Sequence, residues 1–281
     1  MEQRSVGAQV FKAFVYIVLI ILGVLSLFPF IIMFVNATRS TQQIQQQSLT
    51  LIPSVFIADN YRILLRGAYE PLIGFRNSFI IAGGTTILAI YFSSITAYAV
   101  TAYDWKLRKA FFTFILAVMM VPAQIVTIGF YQMIWRLGYT NNFLPLILPA
   151  IASPAIVFFM RQYLIATFSH DIVNSARIDG AGEFRIFNRI VLPMMKPALA
   201  TQAIFVFVTS WNSLFLPMVL LTRSELYTMP LMVSLLRGDI YRIEFGSIYL
   251  ALSLSVLPLF IIYFTLSKYI ISGIQLGGVK E

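Results

Sequence analysis

Cysteine is absent from the 281 residues, histidine occurs once, and aspartate and glutamate together number 11. Without cysteine there is neither a disulfide nor a thiolate metal ligand, and redox compartment is left open. The single histidine, His170, sits in a polar stretch, where a lone imidazole is ordinarily a solvated side chain. No HExxH, GxSxG or GxxxxGK[ST] pattern occurs, and the pairs Gly83-Gly84 and Gly277-Gly278 lack the setting of a phosphate loop. Catalytic residues and metal ligands are therefore both predicted to be absent. The scarcity of charge is the most restrictive feature. Charged residues make up 11% of the chain, against about 25% in soluble globular domains.

What is present is apolar. Hydrophobic residues reach 59% and the mean hydropathy is +0.84, which places the chain among polytopic membrane proteins. At about 20 residues per crossing, the length accommodates six spans in a single membrane domain and no separate soluble enzyme. The apolar runs place them at about 11–36, 77–103, 110–135, 143–163, 198–221 and 245–267. The first has Arg4 and Lys12 ahead of it like a signal peptide. It is long and lacks a small-residue cleavage site, so it reads as a retained span. Pro122 and Gln124 fall inside the third, and Pro145, Pro149 and Pro154 make the fourth the most kinked. Short interfacial helices are expected in 36–75, for example around Asn60 to Arg66.

The formal charge of +9 is explained by membrane topology rather than by nucleic acid. Placing both termini, the turn Asp104-Trp105-Lys106-Leu107-Arg108-Lys109 and the stretch 169–197 on one side gathers Lys12, Lys106, Lys109, Lys196, Lys268 and Lys280 there. That side is predicted to be cytoplasmic, although several arginines then fall outside. None of the six spans carries an acidic residue. Ion-coupled carriers use intramembrane carboxylates or histidine, so the energy source is expected in another polypeptide.

The stretch 169–197 is the longest polar passage of the second half. Ser169 or Asp171 can cap a short helix carrying Ile172, Val173 and Ala176, and Gly180 supplies a left-handed stop. Phe184, Phe187 and Val191 then recur at helical spacing until Pro193 and Pro197. Two short helices meeting at Gly180-Ala181-Gly182 suit a docking lever, or equally a helix lying on lipid headgroups.

At this stretch the chain resembles the permease subunits of ATP-binding cassette importers, whose cytoplasmic loop reads E-A-A, three residues, G, nine residues, I-x-L-P. Asn174-Ser175-Ala176 takes the first place, and Gly180, Ile190, Leu192 and Pro193 match in register. Tyr98-Ala99, Val121-Pro122-Ala123-Gln124, Leu137-Gly138, Trp211-Asn212, Tyr227-Thr228-Met229-Pro230 and the tail Gly273, Gly277, Val279, Lys280 are similar to the carbohydrate-uptake branch and its maltose-type second permease. The family's glutamate is Asn174 here, its following alanine is Ser175, and the chain ends in Glu281.

The resemblance implies an all-α, type I importer permease fold with a cytoplasmic coupling helix. It implies a protein of the bacterial or archaeal cytoplasmic membrane, surrounded by lipid, with both termini inside. A second homologous permease, two ATPase subunits and an extracytoplasmic solute-binding protein would be its partners, and a sugar or oligosaccharide its cargo. ATP and magnesium would be held by the ATPases, and no cofactor by this chain. Coupling residues would be Asp171, Asn174, Ser175, Ala176, Arg177, Asp179, Gly180, Ala181 and Glu183, with Phe184 and Phe187 anchoring the loop to the spans. Gly273, Gly277 and Lys280 would touch the ATPase pair from the tail 268–281. Polar or amphipathic groups inside apolar spans, Gln124, Trp211 and Asn212, are candidates for the substrate path, or for bonds between helices. A polyol or glycerol phosphate is the alternative cargo, and an ion-coupled carrier the alternative mechanism.

Overall fold

The computed structural model describes residues 6–66, 69–236 and 243–278. It is helical throughout, with no strand among the described residues. The chain divides into two compact units, Met1–Tyr69 with Val233–Leu257, and Glu70–Met232 with Pro258–Glu281.

In the first unit, helix α1 (Val6–Ala37) is apolar on every side and leaves Phe14, Ile20 and Leu25 uncovered. Its segment Phe11–Ala37 is long and apolar enough to cross a bilayer. Beyond it the chain turns polar and knots tightly. Helix α2 (Thr41–Gln46) begins with a capping box between Ser40 and Gln43. The buried Arg39 donates to Asn36 Oδ1 at 3.1 Å and to the carbonyls of Gln43 at 3.0 Å and Gln47 at 2.5 Å. Helix α3 (Ile57–Leu65) supplies Asn60, whose amide donates to the carbonyls of Ala37 and Arg39, each at 2.9 Å. The expected helix near Asn60 is therefore present, and α2 is an addition to it. Gly246 packs against this knot so closely that a Cβ there would lie 2.4 Å from the Arg39 carbonyl and 2.5 Å from Asn60 Oδ1.

The second unit is built around α4 (Pro71–Ala102). Its buried face is rich in small residues, including Gly74, Ser78, Ala82, Ala89, Ser93 and Ala97, which permits close helix contact. The expected third span, 110–135, is instead two helices, α5 (Arg108–Met119) and α6 (Ala123–Arg136). Pro122 has extended backbone between them, as its missing N–H and its effect on the preceding residue require. Next come α7 (Leu144–Ile147), a 3₁₀ turn over Leu148–Ile151 and α8 (Pro154–Thr167). Pro145, Pro149 and Pro154 each open one of these pieces, the place where a missing N–H costs least.

Helices α9 (His170–Ile178) and α10 (Glu183–Ile186) lead through a π-helical turn, Phe187–Val191, into α11 (Leu192–Met194) and α12 (Lys196–Trp211). Glu183–Met194 and Lys196–Trp211 meet at 79°. The expected span 198–221 ends early: α12 stops at Trp211, and α13 (Phe215–Leu220) starts afresh. Pro217 accounts for the break, since its ring clashes with the residue 213 carbonyl in a continuous helix.

Helix α14 (Met229–Leu235) precedes α15 (Phe245–Gly278), which runs well past the expected end at 267 and leaves no separate tail as far as Gly278. Among the described residues four stretches meet the length and apolarity of a crossing, namely Phe11–Ala37, Pro71–Ala102, Leu144–Thr167 and Phe245–Thr265, and the bent pair, counted as one span, makes five.

Candidate coupling site

The stretch 169–182 folds as one capped turn of chain. Ser169 holds the cap position of α9 with extended backbone, but its hydroxyl takes no capping bond, contrary to expectation. At the other end the stop is complete. Gly180 has φ +80°, its N–H donates to the Arg177 carbonyl, and the Ala181 N–H donates to the Ala176 carbonyl, both at 3.0 Å. These two bonds define a Schellman motif, with glycine at the residue that must be left-handed.

One face of α9 is built into the protein. Val173 and Ala176 are buried in a cluster with Tyr98 of α4, Met160 and Leu164 of α8, Ile186, Phe187 and Met195. The Tyr98 ring lies 5.8 Å from those of both Phe168 and Phe187. The opposite face is open: Asp171, Asn174, Ser175, Arg177 and Asp179 are exposed.

Charge on that open face is organised around Glu183. Its carboxylate accepts from Arg177 Nε at 2.6 Å and from the Tyr103 hydroxyl. Arg177 also donates to Asn174 Oδ1 at 3.1 Å, and its guanidinium stands 5.6 Å from the centre of the Tyr103 ring. Burial first, and then the bond to Glu183, push the Tyr103 phenol above its ordinary range, so it remains a donor at physiological pH. Tyr103 directly follows α4, so α9, the start of α10 and the end of α4 are joined by one polar network. The other end of α4 is also held: Asn77 Nδ2 donates to the carbonyls of Glu225 and Tyr227, at 2.9 and 3.0 Å. From Asn77 to Tyr103, α4 spans about 39 Å between these ties.

One correction concerns the base of the loop. Phe187 is buried to 1% exposure, whereas Phe184, expected to anchor the loop beside it, is 70% exposed. In the π-helical turn the Leu192 N–H reaches back five residues to the Phe187 carbonyl. Ile186 is buried beside Phe187. Arg177, one of the coupling residues the resemblance implies, is engaged inside the loop by Glu183 and Asn174. Sequence reasoning missed Tyr103, for which only its position immediately before the basic turn 104–109 was a signal. It also missed Ile178, which is 86% exposed.

Of the path candidates, Trp211 and Asn212 stand side by side at the end of α12. Trp211 is only 1% exposed and is enclosed by the rings of Phe75, Phe79 and Phe207 at 6.2, 4.9 and 5.6 Å. Asn212 is exposed at the end of α12. The Gln124 side chain and Lys280 lie outside the described residues, while Gly273 and Gly277 are turns of α15. A cavity of about 490 Å³ lies elsewhere in the second unit, lined by α4, α8, α12 and α13 residues that include Thr85, Gln202, Thr209, Ser210 and Ser213. Its lining contains no lysine or arginine.

Comparison with known proteins is in keeping with this arrangement. The family model described as binding-protein-dependent transport system inner membrane component matches residues 89–275. The arabinooligosaccharides transport system permease protein AraQ of Bacillus subtilis (strain 168) is 33% identical over 282 residues, covering 100% of both chains. The lactose transport system permease protein LacG of Rhizobium radiobacter is 32% identical, covering 94% of this chain and 95% of that one. A chain from a bacterial ABC transporter involved in the import of the acidic polysaccharide alginate has the same fold, with a TM-score of 0.80 at 23% identity, over 96% of this chain and 100% of the other.

Proposed function

The chain belongs to the family of binding-protein-dependent transport system inner membrane components, and from that premise we propose that it is the permease of an ATP-driven importer of a sugar or short oligosaccharide. Its partners are a second, similar permease, two ATPase subunits and a solute-binding protein. ATP and magnesium are held by the ATPases, and this chain hydrolyses nothing. Six crossings put both termini in the cytoplasm, with α5 and α6 together forming the third and α12 with α13 the fifth.

The observation that carries this reading is the construction of the α9 turn. Its inner face is part of the main core, its polar face is tied through Glu183 and Tyr103 to the end of α4, and Ile178 and Phe184 are left uncovered. A helix resting on headgroups needs an apolar face toward lipid, whereas Val173 and Ala176 of α9 are turned inward and the exposed Ile172 and Ile178 stand among the exposed polar side chains Asp171, Asn174, Ser175 and Asp179. In this reading the exposed tip sits in a cleft of one ATPase subunit. Closure of the ATPase pair then moves α9 as a rigid piece, and α4 and α8 with it.

The cargo follows from the cavity and from the relatives. A site without lysine or arginine suits neutral hydroxyls better than a phosphate monoester, so a sugar is favoured over glycerol phosphate. Arabinooligosaccharides and lactose, the cargoes of the two relatives, point the same way.

A pull-down of the tagged chain in detergent, followed by ATPase assay of the eluate with sugar-loaded binding proteins, tests the assembly. Co-elution of a second permease and an ATPase is expected, with turnover raised by one loaded binding protein. Recovery of the chain alone, with sugar uptake in vesicles following an ion gradient, overturns the reading.

A further inference from the structure

Most hydroxyls in the membrane helices of the second unit satisfy themselves. Thr86, Ser94, Thr96, Thr101, Thr167 and Thr201 each donate to the carbonyl four residues back, at 2.7 to 2.9 Å. Such bonds let a hydroxyl sit in an apolar setting without an unpaired donor. On the cavity wall, Thr85 and Ser153 likewise donate to the carbonyls of Leu146 and Ala150. The α12 side of the same cavity differs. Gln202, Thr209 and Ser210, and Ser213 just beyond the helix end, line the cavity, yet among the described residues their side chains have no hydrogen-bond partner.

These positions are not scattered. At 100° per residue, Gln202, Thr209 and Ser210 fall on one face of α12 together with Phe205, which is exposed to the same cavity. An amide, hydroxyls and an aromatic ring along one helix face make a surface that hydrocarbon does not satisfy. It is the combination that a polyhydroxylated ring takes up, with hydroxyls meeting hydroxyls and an apolar sugar face meeting the ring.

We infer that the Gln202–Phe205–Thr209–Ser210–Ser213 face of α12 contacts the hydroxyl groups of the sugar during passage and sets which sugars are carried. This rests on the importer reading above, and it moves the path away from Trp211 and Asn212. Trp211 supports the wall from behind, packed against Phe75, Phe79 and Phe207. With no cation in the lining, the face discriminates by hydroxyl position and not by charge.

The test uses the complete importer in proteoliposomes, with its binding protein at saturating concentration and a set of sugars that differ in the configuration of one hydroxyl. Thr209→Val keeps the shape and removes the hydroxyl, and it is combined with Ser210→Ala. The expected result is a change of roughly tenfold in the ratio of transport rates between two such sugars, the size of losing about one net hydrogen bond. Thr209→Ser should retain the wild-type ratio. Unchanged ratios with the wild type active overturn this inference and leave the importer reading intact. Loss of the second permease from the purified variant also overturns it by making the face a subunit contact. A wild-type complex that carries no sugar defeats both readings together.

Discussion

In the α9–α10 loop the polar side chains that shape the turn satisfy one another. Glu183 receives Arg177 and Tyr103, Arg177 reaches back to Asn174, and the Schellman bonds close the backbone. Along the cavity face of α12 the polar side chains are without partners among the described residues, although hydroxyls elsewhere in the unit bond helix carbonyls. On the function proposed above, the difference separates a part that moves as one body from a part that offers bonds to something passing. A lever transmits displacement only if its own contacts hold. A path contributes to selection only if its bonds are free when the cargo arrives.

Substitutions sharpen this contrast. The largest effect is expected behind the path. Trp211→Ala removes a buried indole packed against three aromatic rings, and truncations of this kind cost about 3–5 kcal/mol. Yield and thermal stability of the purified complex should fall, and every sugar should lose transport alike. A selective loss for one sugar, with stability preserved, would put Trp211 back in the path.

Next in size is Gly180→Val. No atom stands within 4 Å of a Cβ placed at Gly180, so the chain itself has room. A β-branched residue held at φ +80° is nevertheless strained by about 1–2 kcal/mol, and it adds bulk at the tip. The variant is expected to insert and to assemble, while sugar-stimulated ATP turnover drops by about two orders of magnitude, a change of roughly 3 kcal/mol in the coupled step. Full turnover in this variant would return α9 to the headgroup-lying alternative.

Glu183→Gln is smaller. It keeps the shape but removes the charge that joins Arg177 to Tyr103. Arg177 and Glu183 are both partly exposed, so their ion pair contributes no more than about 1 kcal/mol. Stability should barely change, whereas the sugar carried per ATP hydrolysed should decline several-fold because α9 is no longer tied to the end of α4. Tyr103→Phe should reproduce the decline, and a double-mutant cycle between the two should show that the effects do not add.

The loop was legible in the sequence because its signals are local: a glycine needed at one left-handed residue, and a fixed distance from it to Ile190 and Pro193. The all-helical membrane fold was equally legible from apolar runs. The interruptions were less so. Pro122 and Pro217 stand in plain view, but hydropathy averages over them and returns one long span where the backbone makes two helices. Phe184 was misplaced because a three-residue spacing from Phe187 fits one helix face but does not say which side of that face the core covers, and the core takes Ile186 instead. The α12 face was missed for a different reason: Gln202, Thr209 and Ser210 share one face at seven- and eight-residue spacing, yet each is diluted among apolar neighbours. Trp211 and Asn212 drew attention as an adjacent pair, although adjacent helical residues point about 100° apart.

The smallest expected change tests whether the loop tolerates a more familiar charge. Asn174 stands where the resembling family carries glutamate, and its side-chain oxygen accepts from Arg177 at 3.1 Å. In Asn174→Glu a second carboxylate would compete with Glu183 for the same guanidinium. At this exposed site the added charge contributes no more than about 1 kcal/mol in either direction. If the Glu183 pair governs the loop, ATP turnover in the assembled importer should change by less than about fivefold, with sugar selectivity untouched. A larger loss would mean that Arg177 had left Glu183 for the new carboxylate and that the tie to Tyr103 had been broken. Adding Glu183→Gln to Asn174→Glu separates the two cases. Where the tie is intact the second change lowers turnover as it does alone, and where it is already broken the second change has nothing left to remove.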